Sequence, residues 1–451
     1  MKTKLTTLAL LFAAITCIVN AQDTNTYQLR IEQSILDFPQ QIDLPYAAPS
    51  MGQALDLSNN FYELGFWGID KLGNKLFKSK TKPYTQKRKI SNGIFKYGLG
   101  LAFAQYGSEL PIPLGVWAHE EYHRSVLGVK NITSKNGNWL FSRWDGTVYG
   151  VSDQSLQQLK QNNINQLLYS YVSGVQYEIA LNEKVTLNDF YHKRSLNKTA
   201  LLLYNAYYVY NYFAFSTSTA SDSVKVLAPE HESKNPMQRD FAGADLTAWA
   251  YDMFNPTASY LNRDSFPNGE GVNRRVGFSD LSPEAQDYLK QQKQLSLLNF
   301  LNPAIFFIPE IKLNPQFSFN FFTQYSPTHF GNDIALYVPV KYKGNNLLVN
   351  IHNYNNKTSN GYGIGLAFYH HKLGNKTESD VAINVWNQPK SFYNNQKEIG
   401  GAVHFKLRYH INPSFAATLA TTAKTSGWMI SNPYLNPNIS LQMGLAYNLK
   451  Q

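Results

Sequence analysis

The spacing of apolar side chains along the chain changes near Lys312. Ahead of that point apolar residues recur at helical spacing behind helix-start signals. Asp153 precedes Leu156, Leu159 and Ile164, and Ser282-Pro283-Glu284 places a cap, a first-turn proline and an acidic first turn in order. Beyond it the period is two. Ile439, Leu441, Met443, Leu445, Tyr447 and Leu449 alternate with polar or small residues, as do Val403, Phe405, Leu407, Tyr409 and Ile411. Tyr362, Ile364, Leu366 and Phe368 stand opposite Gly361, Gly363, Gly365 and Ala367. About eight such runs follow Lys312, separated by turn residues such as Lys343-Gly344-Asn345 and Ile411-Asn412-Pro413. The pattern predicts an α+β chain, with a mainly helical part over 22–311 and an antiparallel, eight-stranded β-barrel over 312–451.

A water-soluble antiparallel sheet also alternates, because one of its faces packs on a core and the other meets solvent. Three features favour a transmembrane barrel: strands near ten residues, an even strand number, and large apolar groups opposite small or cationic ones. Tyr342, Tyr409 and Tyr447, at strand ends, suit an interfacial girdle. In this patterning the C-terminal third resembles small bacterial outer-membrane barrels, although the chain ends in Leu449-Lys450-Gln451 without a terminal aromatic. That resemblance implies an outer-membrane location.

The first residues agree with export. Lys2 and Lys4 precede an apolar run from Leu5 to Val19, and Val19-Asn20-Ala21 supplies a cleavage site, so 1–21 reads as a signal peptide. Cys17 is the only cysteine and lies inside it, which excludes disulfides, thiolate metal sites and cysteine nucleophiles from the mature chain. The net charge of +10 includes Lys2 and Lys4 and is otherwise spread, with one dense cluster over Lys78–Lys89 that reads as a solvated loop. Nucleic acid is not an expected partner. Leu201–Phe215 and Leu295–Ile311 are apolar, but asparagines, tyrosines and prolines interrupt them, so buried core helices are expected rather than membrane spans.

The chemistry concentrates at His119-Glu120-Glu121-Tyr122-His123. Residues four apart share a helix face, so His119 and His123 can present their imidazoles to one ion, and Glu120 can polarise a water on it. Pro111-Ile112-Pro113 ends any earlier helix before this one. The segment resembles the H-E-x-x-H motif of the zincin metallopeptidases. That resemblance implies zinc as cofactor, His119 and His123 as ligands, Glu120 as general base, and a peptide or protein substrate. The longer metzincin pattern fails, since the sixth residue beyond His123 is Val129; a glutamate-ligand zincin is the better match.

For the third ligand, Glu178 is the first choice, because an acid on a largely apolar helix needs a partner and Ser173 and Gly174 permit close helix packing. Asp245 is the alternative, and Asp252 falls on nearly the same helical face as Asp245. An aspartate can instead orient a histidine from behind. His192, His231, His370 and His371 read as surface or strand residues. The resulting expectation is an exported zinc peptidase of the cell envelope. Its competitors are a non-enzymatic outer-membrane protein with a partner-binding helical part, and a zinc hydrolase of non-peptide envelope substrates.

Overall fold

A capping box begins the first helix: Ser50 accepts from the Gln53 amide and the Gln53 side chain returns to the Ser50 N–H, starting α1 (Met51–Leu76). The computed structural model describes residues 27–36, 50–78, 85–141, 143–192 and 196–449. The expected signal peptide with Cys17, and the middle of the Lys78–Lys89 cluster, lie outside the described residues. Helices α2 (Gln86–Gly107), α3 (Gly115–Gly128), α4 (Asp153–Tyr191), α5 (Leu196–Ser216), α6 (Thr219–Leu227), α7 (Asp245–Phe254) and α8 (Pro283–Ser296) follow. Ser282 caps α8 as its position predicts, while α4 is capped by Ser152 and is broken at Asn163. Asp153 is free to accept from Arg274 Nε at 2.7 Å.

Strands β1 (Tyr27–Leu36), β2 (Lys135–Asn138) and β3 (Trp144–Tyr149) belong to the first part of the chain. β4 (Ile311–Asn314), β5 (Phe317–Phe319), β6 (Phe322–Thr328), β7 (Gly331–Tyr342), β8 (Asn345–Asn355), β9 (Asn360–Lys372), β10 (Thr377–Pro389), β11 (Lys397–His410), β12 (Phe415–Lys424) and β13 (Asn438–Leu449) make up the second. β2 and β3 form a small hairpin, and all the others join one sheet of 11 strands ordered β1-β13-β12-β11-β10-β9-β8-β7-β5-β4, with β6 also on β7.

The α+β class holds, but the eight-stranded barrel does not: the sheet has more strands and is not closed. The physical reason lies at β1. Its outer edge is met by a helix, because Asn60 of α1 accepts from Arg30 N–H at 2.8 Å and donates to Arg30 C=O, while Gln53 donates to Glu32 C=O at 3.3 Å. Side-chain amides thus take backbone groups that a further strand would have paired. β1 also comes from ahead of residue 312, so sheet membership crosses the boundary that the periodicity marks.

The two faces of the sheet differ. On β9, Tyr362, Ile364, Leu366 and Phe368 are 65, 53, 45 and 43% exposed, while Gly361, Gly363, Gly365 and Ala367 are buried. Ile383, Val385, Ile399, Val403, Met443 and Leu445 continue the outward apolar surface on neighbouring strands. The inner face is covered by α4, which runs across it. Near one end of the sheet Gln176 donates to Pro327 C=O at 2.7 Å and Tyr169 donates to Asn432 C=O at 2.7 Å. Further along, Leu187 packs with Phe322, Tyr337, Leu348 and Ala367, and Tyr191 donates to Leu347 C=O.

The main core passes from Tyr62, Trp117 and Leu167 through to Tyr354, Trp386 and Trp428 without interruption. α5 is the core helix expected over Leu201–Phe215, whereas 295–311 becomes two short 3-10 turns. Among the described residues no helix is long and apolar enough to cross a membrane. Asn60→Ala removes the amide that satisfies both backbone groups of Arg30. It is expected to destabilise the fold by about 1–3 kcal/mol in a denaturant titration, the cost of leaving such groups unmatched.

Candidate metal centre

Helix α3 is buried at every position except Val116, an uncommon setting for a segment in which five of the six residues from His119 to Arg124 are acidic, basic or imidazole side chains. Each charge therefore needs an answer. Glu121 and Arg124 answer one another: Arg124 Nη1 donates to Glu121 Oε1 at 2.6 Å, and Asn136 on β2 donates to the same oxygen at 2.8 Å. Arg124 Nη2 also reaches Ser134 C=O at 3.0 Å. This face clamps α3 to the hairpin and leaves His119, Glu120 and His123 for the other side.

His119 and His123 turn toward α4 and α7. Their rings are 4.9 Å apart between centroids, and both Nε2 atoms converge with Asp245 on one point. Asp245 Oδ2 lies 3.3 Å from His123 Nε2 and 3.7 Å from His119 Nε2. Donors bound tetrahedrally at about 2.0–2.2 Å stand about 3.3–3.5 Å from one another, so these separations fit a small divalent cation with little movement. The buried His119-His123-Asp245 group can hold a metal ion.

The opposite ring nitrogens are fixed. His123 Nδ1–H donates to Ser170 C=O at 2.5 Å, and Glu178 Oε1 lies 3.2 Å from His119 Nδ1. Both contacts direct Nε2 to the centre and make each imidazole a stronger donor. Both partners belong to α4, as does Gly174 between them. A Cβ at Gly174 would stand 2.3 Å from each Nε2, about where an ion would sit, so only glycine leaves that space.

Asp245 is the first residue of α7. Its loop is shaped by Asp240, which accepts from Gly243 N–H at 2.9 Å and from Val148 N–H at 3.3 Å, and Gly243 has φ +75°. Tyr212 on α5 donates to Asp245 Oδ2 at 2.6 Å, and Phe241 lies against the His123 ring with centroids 5.3 Å apart.

The expected ligand set therefore changes in its third member. Glu178 supports His119 from behind at Nδ1 and does not join the Nε2 group; Asp245, the alternative, does. Glu178 meets His119 at Nδ1, the edge of the ring opposite the Nε2 that faces Asp245, so the imidazole itself stands between Glu178 and the centre. Asp252, placed by spacing on the same helical face, belongs to a different network: Lys160 Nζ, Arg263 Nη2 and the Tyr171 hydroxyl each approach it at 2.9 Å. Tyr122 and Tyr177 are tied to Ser431 and Ser58, at 2.9 and 2.5 Å. The sequence reading gave no role to Asp240, Ser170 or Tyr212. The signals that point to them are the Asp240-to-Gly243 turn spacing and the i, i+4 pair Tyr208 and Tyr212 within the apolar run Leu201–Phe215.

Electrostatics follow from burial and crowding. Burial alone pushes His119 down, but the Glu178 and Asp245 carboxylates hold it well above the ordinary imidazole range. Asp245 is raised by burial and then drawn well below the usual carboxylate range by His123 and His119. Glu120 moves the other way, raised well above its usual range by burial, with Asp240, Asp245 and Glu178 adding to the rise against the pull of His119. Among the described residues Glu120 forms no ion pair. A 7% exposed acid left in that state beside two converging imidazoles is suited to exchanging a proton.

No protein-family model matches the chain, and no curated protein matches it. A solved structure described as a NanC porin in a rhombohedral crystal form is similar at 13% identity and a TM-score of 0.24, over 31% of this chain and 76% of that one. A likeness at that level carries no argument about fold or activity.

Two substitutions test the centre. Gly174→Ala is expected to abolish stoichiometric metal binding by filling the space between the nitrogens. Glu178→Gln is expected to weaken it by about 10–100-fold while leaving stoichiometry intact, the usual effect of losing a partner behind a ligand. Equilibrium dialysis with metal analysis reads both.

Proposed function

We propose that this protein is a zinc-dependent peptidase of the cell envelope, with zinc held by His119, His123 and Asp245 and a bound water activated by Glu120. The observation that carries the reading is the convergence of both Nε2 atoms and the Asp245 carboxylate, with Glu120 next to His119 on the same helix and forming no ion pair among the described residues. Imidazole with carboxylate is a donor set suited to zinc, and three protein ligands leave a fourth position for water. When bound, zinc would acidify that water and polarise a substrate carbonyl. Glu120 would accept the water proton and pass it to the leaving amine, while Glu178 and the Ser170 carbonyl keep the imidazoles oriented. Glu178 thereby takes the orienting role and Asp245 the ligand role in this reading.

The outer face of the sheet supports the envelope location. At about 25 cal/mol per Å2, each half-exposed Leu or Ile on its outer face forgoes about 1 kcal/mol in water, and a surface of a dozen or more is comparable to the whole stability of an ordinary domain. Strands of 10–14 residues from β8 to β13, apolar on that face, suit burial in the outer membrane. We therefore place the outer face against lipid and the helices on the other side of the sheet.

A second reading draws on the burial of the centre, where His119 and His123 are 4% and 1% exposed. There the ion is structural, pinning α3, α4 and α7, and the protein is a non-enzymatic envelope protein. Glu120→Gln separates the two. Under the peptidase reading it keeps full zinc content and loses about 100- to 10,000-fold in the rate of hydrolysis of a casein or peptide-library substrate. Zinc-loaded wild type with no hydrolysis above that of Glu120→Gln would leave the structural reading. For the location, Leu366→Asp is expected to lower the fraction of protein that stays with membranes after an alkaline wash.

A further inference from the structure

A second polar chamber lies at the far end of α4, between that helix and the inner face of the sheet. It has a volume of about 380 Å3, within the range of small-molecule sites. Its walls come from β1 and β13 on one side, α1, α4 and α5 on another, and the turn-proximal ends of β8 to β11. The rim is exposed at His192, Gly344 and Lys372, so the chamber opens at the sheet end that carries the short turns. Glu178 and Asn188 are ten residues apart on α4, which at about 1.5 Å per residue puts the chamber about 15 Å from the metal centre.

Most of its charges are paired. Lys198 is matched by Glu63 at 2.6 Å, and Arg408 by Asp380 behind the wall at 2.8 Å. Glu378 is shared by His410 at 3.3 Å, His370 at 3.5 Å and Arg408 Nε at 3.7 Å. Arg30 differs: its Nε donates to the neutral Gln28 at 2.6 Å, and among the described residues no carboxylate forms an ion pair with it. Lys372, at the rim, stands opposite Glu378 in the β9–β10 register and forms no ion pair among the described residues. Beside Arg30 the wall presents neutral amides, Asn59, Asn188 and Asn346 among them. A guanidinium offers a planar fork for an oxyanion, and amides both donate to and accept from hydroxyl groups.

We propose that this chamber binds a small polyhydroxylated anion, its phosphate or carboxylate held by Arg30 and its hydroxyls by the surrounding amides. The site is independent of the metal centre and of any hydrolysis there.

Calorimetric titration of the full-length protein in detergent with glucose 6-phosphate, gluconate and glucose tests the proposal. Saturable binding of at least one of the two anions, with glucose at least tenfold weaker, is expected; which anion binds distinguishes phosphate from carboxylate. Arg30→Gln is expected to weaken that binding at least tenfold with an unchanged thermal unfolding midpoint. If that variant unfolds early, Asn188→Asp, which adds a carboxylate to the wall, is judged by the same tenfold criterion. Absence of saturable anion binding to the wild type, or binding unaltered in a folded variant, overturns the assignment.

Discussion

The approach of α3 to α4 at Gly174 sets the geometry of the metal centre. Two imidazoles can reach a common point beside a helix backbone only where that helix carries no side chain. The same stretch of α4 supplies the Ser170 carbonyl and the Glu178 carboxylate that hold the rings from behind. One close helix contact therefore makes room for an ion, fixes the ligand atoms and surrounds them with low-dielectric protein. Glu120 and Asp245 are driven in opposite directions by that shared environment, because Asp245 faces the imidazoles directly while Glu120 sits among other carboxylates.

α4 is also the element that joins the two parts of the molecule. Its middle borders the metal centre and its last turns lie on the sheet, where Leu187 and Tyr191 pack against inner-face residues. The sheet is covered inside by a helix and bears exposed Leu, Ile, Val and Phe on its outer face. Its departure from a closed barrel has a local cause at β1, where asparagine and glutamine side chains of α1 stand in for a neighbouring strand. The chamber at the far end of α4 lies on that interior side, and Arg30, which forms no ion pair among the described residues, belongs to the strand that the helix has capped.

Much of this was legible in the chain. Period-two alternation identified the long strands β7 to β13 and, on β9, β11 and β13, the face that points outward, because side chains alternate strictly about a pleated backbone. Cap residues located Ser282 and the helix that follows it. The i, i+4 spacing brought His119, Glu120 and His123 to one helix, and the lone cysteine left nitrogen and oxygen donors as the only candidates. Local periodicity reports how a residue sits on its own element, and these conclusions require nothing more.

Tertiary structure decided the rest. Glu178 and Asp245 were both acids on apolar helices, and nothing local distinguishes a carboxylate facing Nδ1 from one facing Nε2; the separation of α4 from α3 and the Asp240–Gly243 loop made that choice. The strand count and the open edge depended on β1, whose partner β13 lies at the other end of the chain. Asp252 shared a helical face with Asp245 but found Lys160 and Arg263. In each case the outcome was set by which distant groups could satisfy a buried charge or an unpaired backbone edge, a question that spacing along the chain leaves open and packing answers.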